Sequence, residues 1–386
     1  MTDTIQKTSK VVYIKDSIGD ENPIVAYNLQ VTENLMELTQ LTFNFNGDQI
    51  NKYAVDMLQP RTLIWVPEID EWFRYKNLTV TPTSKMEIYT VTAFQVGTDL
   101  NDKYVESRLK GSHSLKECLD LLTQNTKFSY NIHDNFNNYS FSDDGFGGDF
   151  ADTLLMNTLK DDFKFEYYFD KYTIHIYKKL GTENQFVFVD GFNVSNVART
   201  VDATNVRTHI KGYGKQDDKG KYLATAEYTS PNADVWGSVS AAPIVDDRFT
   251  SNSSLLDYIK SQIQDYPLIQ YTVEKAYFFD KVNRKLADDS MELIRSINNV
   301  KVGNSGLLKD RFGKYVDVRI IGMTYFPQDN MQNDTVTFGN KLFDANYNMA
   351  TQKNARKANE SMGKDIRNST QFISDIQKGG LWFTYS

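Results

Sequence analysis

The stretch RYKNLTVTPTSKMEIYTVTAF, residues 74–94, has a counterpart far along the chain in RIIGMTYFPQDNMQNDTVTF, residues 319–338. Aligned on Pro82 and Pro327, Arg74 falls on Arg319, Leu78 on Met323, and the tripeptide Thr90–Thr92 on Thr335–Thr337. Phe94 and Phe338 close the two copies one residue out of step, and upstream Leu63 matches Leu308 at the same offset. An internal repeat marks a structural unit used twice. Its surroundings read as strands, so the repeat predicts two related antiparallel β-barrels, one toward each end of the chain. The expected fold class is α+β, mostly β, with α+β modules inserted between and within the barrels and a helical C-terminal tail.

The strand reading extends upstream of the first copy. VVYI (11–14), IVAYNLQV (24–31), TLIWV (62–66), EWFRYKNLTV (71–80) and MEIYTVTAF (86–94) are short and β-prone. LTFNF (41–45) puts Leu41, Phe43 and Phe45 on one face and Thr42 and Asn44 on the other, the pattern of a half-buried strand. So many strands with so little helix predict a small barrel or sandwich over residues 1–105.

Between the copies the pattern changes. Ser114 and Glu117 stand at capping-box spacing, and Leu115, Cys118, Leu119 and Leu122 then follow one helical face. NIHDNFNNYSFSDDGFGGD (131–149) reads as a polar loop. A second helix is expected over about 150–161, with Ala151, Leu154, Leu155, Thr158 and Leu159 in register. FKFEYYF and YTIHIYK flank Asp170-Lys171 as a hairpin. Residues 106–185 are thus expected to form an α+β module.

Strands resume at NVRTHIKGYG (205–214), and a helix is expected around Leu255, Leu256, Ile259 and Ile263. Further strands are expected at 269–279, 300–309, 315–326 and 334–339, with a helical patch at 284–297. The expected division is 186–229 and 268–343 as two parts of the second barrel, 230–267 as an insertion belonging to the α+β module, and 344–386 as a helical tail. In that tail Met362, Ile366, Ser369, Ile373 and Ile376 repeat at coiled-coil spacing. Met362, Ile366, Ile373 and Ile376 are therefore the expected oligomerisation residues.

Composition bounds the function. The 386 residues carry 43 Lys+Arg against 50 Asp+Glu, a net charge of −7 that argues against a protein built to hold nucleic acid. With 24 Phe, 23 Tyr and 4 Trp against 21 Gly and 8 Pro, the chain is expected to be folded. No apolar run approaches a membrane span, and the start MTDTIQKTSKVVYIKD has no apolar signal-peptide core. A single cysteine excludes an internal disulfide framework and a cysteine-rich zinc site.

The residues that could carry chemistry have plainer readings. Cys118 lies on the apolar face of a helix and reads as a packing residue. His113, His133, His175 and His209 form no HExxH motif and no close ligand pair in sequence. The acidic clusters Asp143-Asp144, Asp149-Asp152, Asp161-Asp162, Asp246-Asp247 and Asp288-Asp289 read as solvated loop and cap carboxylates, and SDDGFGGD lacks the ligand alternation of a calcium loop. GYGK (212–215) is not a phosphate loop and reads as a turn. The Arg207, His209, Lys211 stripe reads as a solvated strand face. No catalytic, cofactor-binding or metal-binding residue is assigned, and no cofactor is expected.

Several segments taken together resemble a known family. SLKECLDLLTQNTKFSY, FEYYFDKYTIHIYKKLG, NVRTHIKGYGK, YTSPNADVWGSVSAAPIVDDRF, YPLIQYTV, VKVGNSG and TVTFGNK resemble, in order and spacing, the tail-tip hub proteins of long-tailed bacteriophages. This family is also labelled prophage tail endopeptidase or tail-associated lysin. The likeness runs from about residue 20 to about residue 343. It implies a fold similar to the baseplate hub of contractile-tailed phages, with two barrels related to tail-tube proteins. A homotrimer would then form a ring of six barrels that closes the distal tail channel, adapts sixfold to threefold symmetry and opens for phage DNA.

The implied partners are a hexameric distal tail protein, the tape-measure protein and receptor-binding or lytic tail proteins. The implied location is the distal end of the virion tail, after synthesis in the host cytoplasm. Longer members carry a C-terminal hydrolase or host-binding domain, and this chain, stopping soon after its short helix, is expected to lack the lytic part. The rival expectations are a peptidoglycan-degrading endopeptidase and a saccharide-binding adhesin.

Overall fold

The computed structural model describes residues 11–190, 194–274 and 301–340, apart from 310, 312, 314, 330, 331 and 333. Seven strands come first: β1 (Val11–Lys15), β2 (Glu21–Val25), β3 (Tyr27–Asn34), β4 (Gln40–Asn46), β5 (Leu63–Val66), β6 (Glu71–Pro82) and β7 (Glu87–Gln95). Next come β8 (Tyr104–His113), β9 (Ser129–Ile132), β10 (Tyr139–Phe150), β11 (Glu166–Asp170) and β12 (Thr173–Tyr177). The second half holds β13 (Val187–Val189), β14 (Ser195–Asp202), β15 (His209–Tyr213), β16 (Thr225–Thr229) and β17 (Ile244–Val245). It ends with β18 (Leu268–Glu274), β19 (Ser305–Lys309), β20 (Tyr315–Tyr325) and β21 (Thr335–Asn340). The helical patch expected at 284–297 and the tail residues Met362, Ile366, Ile373 and Ile376 lie outside the described residues.

The chain is mostly β, as the patterning predicts. Thirteen strands share one sheet, in the order β14-β18-β21-β20-β3-β4-β7-β6-β5-β1-β2, with β19 beside the first part of β20 and β13 beside β19. The two expected barrels are thus two halves of a continuous sheet, joined where β20 pairs with β3. Among the described residues neither half closes through a hydrogen-bonded ladder. The first half is nevertheless rolled. β2 and β3 sit at opposite ends of a seven-strand path, about 29 Å apart if the sheet were flat. Only Ala26 separates them in sequence, so the two ends must meet.

Asn51 secures that corner. It is 2% exposed; its side-chain oxygen accepts the Val25 N–H, and its amide donates to the carbonyls of Val25 and Asn46. Backbone groups that leave the ladder there are satisfied by a side chain instead. Inside the roll β4 buries Leu41, Phe43 and Phe45, as the alternation predicts, and Phe45 stacks on Tyr89 at 4.9 Å.

The repeat is structural. β6 pairs with β7 as β20 pairs with β21: Arg74 lies opposite Phe94 and Arg319 opposite Gly339, while Leu78 faces Val91 and Met323 faces Val336. Both ladders break at the same place, between Tyr75 and Asn77 and between Ile320 and Gly322. The correspondence extends to strands the sequence comparison did not reach. β3–β4 is irregular between Tyr27 and Gln30, and β14–β18 between Ser195 and Ala198. Asn28 and Asn196, one residue into each irregularity, both take positive φ, 51° and 53°. Gln40 and Thr42 of β4 then correspond to Gln270 and Thr272 of β18. The Leu63–Leu308 match does not hold in space. Leu63 stands opposite Arg74, whereas Ser305 stands opposite Arg319 and Leu308 opposite Val316, because the link into β6 is shorter than the link into β20.

Between the halves, β11, β12 and β9 form a three-stranded sheet, with β9 parallel to β12. The helix Leu115–Thr123 carries the expected capping box: Ser114 Oγ accepts the Glu117 N–H and Glu117 accepts the Ser114 N–H at 2.8 Å. The expected second helix runs over the consecutive segments Ala151–Thr153, Leu154–Leu159 and Lys160–Phe163, the middle one a π turn. One correction falls here. Most of the segment read as a polar loop belongs to β10, which pairs with β8 through two register shifts. Gly145, Gly147 and Gly148, all at positive φ, make the irregular ladder possible and hide its alternation from sequence.

A second correction concerns residues 205–267. β15, β16 and β17 form their own three-stranded sheet, closed over Ile210, Ala224, Leu255 and Ile259 with the helix Asn252–Gln262. β15 and β16 therefore belong with residues beyond 230 and not with the second half of the large sheet, since Ile210 is buried in the cluster that Leu255 and Ile259 of that helix complete. GYGK is likewise not a turn. Gly212 lies within β15, where a side chain would collide with Ile259.

Candidate functional site

The α+β module is held to the large sheet by two arginines at equivalent positions of the repeat. Arg74, 5% exposed at the start of β6, donates from Nε to Asp99 Oδ1 at 2.8 Å and from Nη2 to Asp99 Oδ2. Its Nη1 donates to the Arg61 carbonyl. Asp99 sits in the turn Val96–Asp102 that leads into the module, and it also accepts from the hydroxyl of Tyr172 in the β11–β12 turn.

Arg319 on β20 makes a forked pair with Glu166 of β11, with Nη1 to Oε1 at 2.7 Å. It also donates to the carbonyls of Leu180 and Gly303, at 2.8 and 2.9 Å. Gly181 and Gly303 approach so closely there that a Cβ on Gly181 would lie 2.2 Å from the Gly303 carbonyl. One arginine therefore holds the turn leading into the module, and the other holds β11 of the module together with the exit segment at Leu180. Bidentate, buried pairs of this kind fix orientation as well as adding energy.

A cleft of about 660 Å³ runs along this junction, lined by Glu33, Glu71, Gln95, Tyr168, Lys301 and Tyr325 among others. Tyr325 donates to Glu33 at 2.6 Å; Gln95 donates to Glu71 at 2.8 Å and to the Phe169 carbonyl at 2.9 Å. Burial raises the carboxyl pKa values of Glu33 and Glu71, against the hydrogen bonds from Tyr325 to the first and from the Trp72 backbone and Gln95 to the second. Two perturbed carboxylates in one cleft have the outline of an acid–base pair. Here each is committed to a partner that ties the sheet to itself or to the module.

Cys118 is fully buried, and desolvation, with smaller effects from Glu117 and Asp162, pushes its thiol up to about 12. It stays protonated at neutral pH and is no nucleophile. The histidines are more sociable than their sequence spacing indicates. His133 Nε2 and His175 Nδ1 lie 3.0 Å apart, brought together by the parallel β9–β12 pairing, and the His133 ring stacks on Tyr177 while the His175 ring stacks on Tyr168. A parallel pairing across distant residues leaves no spacing signal, so sequence reading misses this pair. Among the described residues no group of three or more His, Cys, Asp or Glu could hold a metal ion.

His209 bridges Ser240 and Glu227, and His113 contacts the Lys110 carbonyl. Of the acidic clusters, Asp246 pairs with Arg248 and Asp152 accepts from Asn101, while Asp288-Asp289 lies outside the described residues. The four expected oligomerisation residues, Met362, Ile366, Ile373 and Ile376, are likewise not described.

The duplicated sheet with a module clamped between its halves is a shape that known structures share. Residues 182–348 match the family described as prophage endopeptidase tail. The fold is that of prophage tail proteins. The crystal structure of prophage tail protein gp18 from Listeria monocytogenes superposes with a TM-score of 0.64 at 19% identity, covering 90% of this chain and 99% of that one. The 43 kDa tail protein of prophage MuSo2 from Shewanella oneidensis superposes at 0.60 with 11% identity, covering 85% and 98%. A tail protein from Neisseria meningitidis superposes at 0.56 with 9% identity, covering 86% and 96%. No curated protein matches the chain in sequence. The prophage-tail resemblance read from the segments above is upheld. No helix of the described residues is long and apolar enough to cross a membrane.

Proposed function

We propose that this prophage tail fold serves a structural hub at the distal end of a phage tail, whose copies assemble as a trimeric ring. One observation carries the reading: a single chain holds two register-matched copies of one strand unit, joined side by side through β20 and β3. Three such chains present six units, which lets a threefold hub sit against a sixfold tube and the hexameric distal tail protein at its end. Closed rings are the common solution for heterologous self-association. The channel so formed would be plugged or narrow at rest and open for the tape-measure protein and phage DNA. A net charge of −7 suits passage of DNA without adhesion. Receptor-binding and lytic activities would belong to proteins docked on the ring.

The reading is non-enzymatic. It is supported by the likeness to tail proteins and by a cysteine that is buried and protonated. Light scattering coupled to size exclusion tests it: a mass three times the 44.4 kDa chain, with rings in negative stain, is the expected result. A monomer at the highest soluble concentration that forms no ring when mixed with a distal tail protein would overturn it. Clearing of purified cell walls by the isolated protein would instead favour the endopeptidase reading.

A further inference from the structure

The repeat makes one contact inside the chain whose counterpart is missing. At the joint between the halves, Gly322, Met323, Thr324 and Tyr325 of β20 lie opposite Asn34, Glu33, Thr32 and Val31 of β3, antiparallel. The positions of β20 correspond to Asn77, Leu78, Thr79 and Val80 of β6, as the matched ladders and breaks require. The positions of β3 correspond to Asp202, Val201, Thr200 and Arg199 of β14. Among the described residues of one chain these two edges are not paired. β6 pairs with β5 only through Arg74, so its edge from Asn77 onward has no strand partner among the described residues. Among the described residues β14 ends the sheet, paired with β18 alone.

We propose that residues 77–80 of β6 in one copy pair with residues 199–202 of β14 in a second copy of this chain, in the register of the β20–β3 joint. Asn77 then faces Asp202, Leu78 faces Val201, Thr79 faces Thr200 and Val80 faces Arg199. Three observations on these edges fit a second copy. Thr32 and Thr324 touch at the existing joint, hydroxyl to hydroxyl at 3.3 Å, and the same rung of the proposed joint is again Thr opposite Thr.

Val80 and Val201, 45% and 49% exposed, take the places of Tyr325 and Glu33, which meet diagonally at the existing joint through a 2.6 Å hydrogen bond. Pairing would bring the two valines together and cover both. Finally, Val31, Met323 and Tyr325 are buried at the existing joint, so the geometry is one this unit already fills with a well-packed neighbour. A free, β-prone edge of this kind is a template for another strand.

The contact is heterologous, one edge against a different edge, so repetition yields rings or filaments and never an isolated pair. It deepens the ring reading above but rests on the internal duplication, and the two fail separately. A trimer whose copies join elsewhere would keep the ring and overturn this joint.

The test is disulfide trapping in the full chain. Thr32→Cys with Thr324→Cys should close an intrachain bond and shows that the rung accepts disulfide geometry. Thr79→Cys with Thr200→Cys should then give covalent multimers on oxidation. Thr79→Cys alone and Thr200→Cys alone should stay uncrosslinked, and an equimolar mixture of the two should give only linked pairs. Cys118 is buried and takes no part. Cross-linking of either single variant with itself would show a symmetric contact and overturn the proposal. So would equal trapping in Thr79→Cys with Val201→Cys, whose side chains point to opposite faces. Failure of the Thr79/Thr200 variant to link while the intrachain control closes would do the same.

Discussion

Arg74 and Arg319 occupy the same rung of the two strand units, and each reaches across a seam to a carboxylate associated with the module between them. Asp99 receives the first and Glu166 the second. The side chains of Arg319 and Glu166 are 13% and 17% exposed, so neither charge is fully solvated. Removing one partner leaves the other stranded, which costs more than the pair contributes net. Arg319→Met should lower the unfolding free energy by about 3 kcal/mol in urea titrations. Arg319→Met combined with Glu166→Leu should regain a large part of that loss. A double variant as unstable as the single would mean that the backbone hydrogen bonds, from Arg319 to the Leu180 and Gly303 carbonyls and from the Leu180 N–H to Glu166, and not the ion pair, carry the effect.

Asn28 and Asn196 mark the same irregularity in the two halves, both with positive φ. Asparagine tolerates this conformation, glycine adopts it freely, and a β-branched residue is strained there. Asn28→Gly should change stability by no more than about 0.5 kcal/mol. Asn28→Val should cost about 2 kcal/mol. The same pair of substitutions at Asn196 should follow the same order. Equal effects of Gly and Val at either site would show that side-chain contacts, not backbone strain, select asparagine.

What the sequence disclosed follows from the range of each signal. The Leu41, Phe43, Phe45 alternation and the Ser114–Glu117 capping box are local, so both are legible and both are found. The repeat is legible only at β6–β7 and β20–β21, where Pro, Arg and Thr-Val-Thr survive as identities. In β3 and β14 the shared features are a break in the ladder and a positive φ, and only two identities accompany them, Asn28 with Asn196 and Thr32 with Thr200, too few to stand out in sequence. The arginines stand out as repeat markers, but their partners Asp99 and Glu166 are tertiary and leave no trace in spacing. β10 is not legible in sequence because its glycines break the alternation by which strands are recognised. The joining of the two halves into one sheet depends on the β20–β3 pairing across nearly the whole chain, beyond the reach of periodicity.

Cys118 offers a test of the non-enzymatic reading at a single residue. Fully buried and with its thiol pushed up to about 12, it should resist a disulfide-exchange thiol reagent in the native protein and react fully after denaturation. Cys118→Ala should cost about 1 kcal/mol and Cys118→Ser about 2, since the serine hydroxyl is desolvated in an apolar site and must share the Ser114 carbonyl with the helix. Ring formation should be unchanged in Cys118→Ala. Rapid labelling of the folded protein would contradict the burial and reopen the thiol mechanism.

Asp162, near the end of the helix that packs behind Cys118, sets a pH dependence whose sign is fixed. Burial, reinforced by Asp161 and opposed by Lys164, raises its carboxyl from 3.8 to about 6. Between those values the folded protein holds a proton that the unfolded chain has released. The folded state is therefore favoured at low pH, and this contribution is lost as pH rises through about 6. Asp162→Asn removes the charge while keeping the shape, so it should stabilise the protein by about 2 kcal/mol at pH 7.5 and have little effect near pH 4. Urea midpoints of the two proteins, compared across that range, should converge toward acid and separate toward neutrality. Parallel midpoints would show that Asp162 ionises at its ordinary value, and the raised carboxyls of Glu33 and Glu71 in the cleft would then be the next candidates for any acid stabilisation.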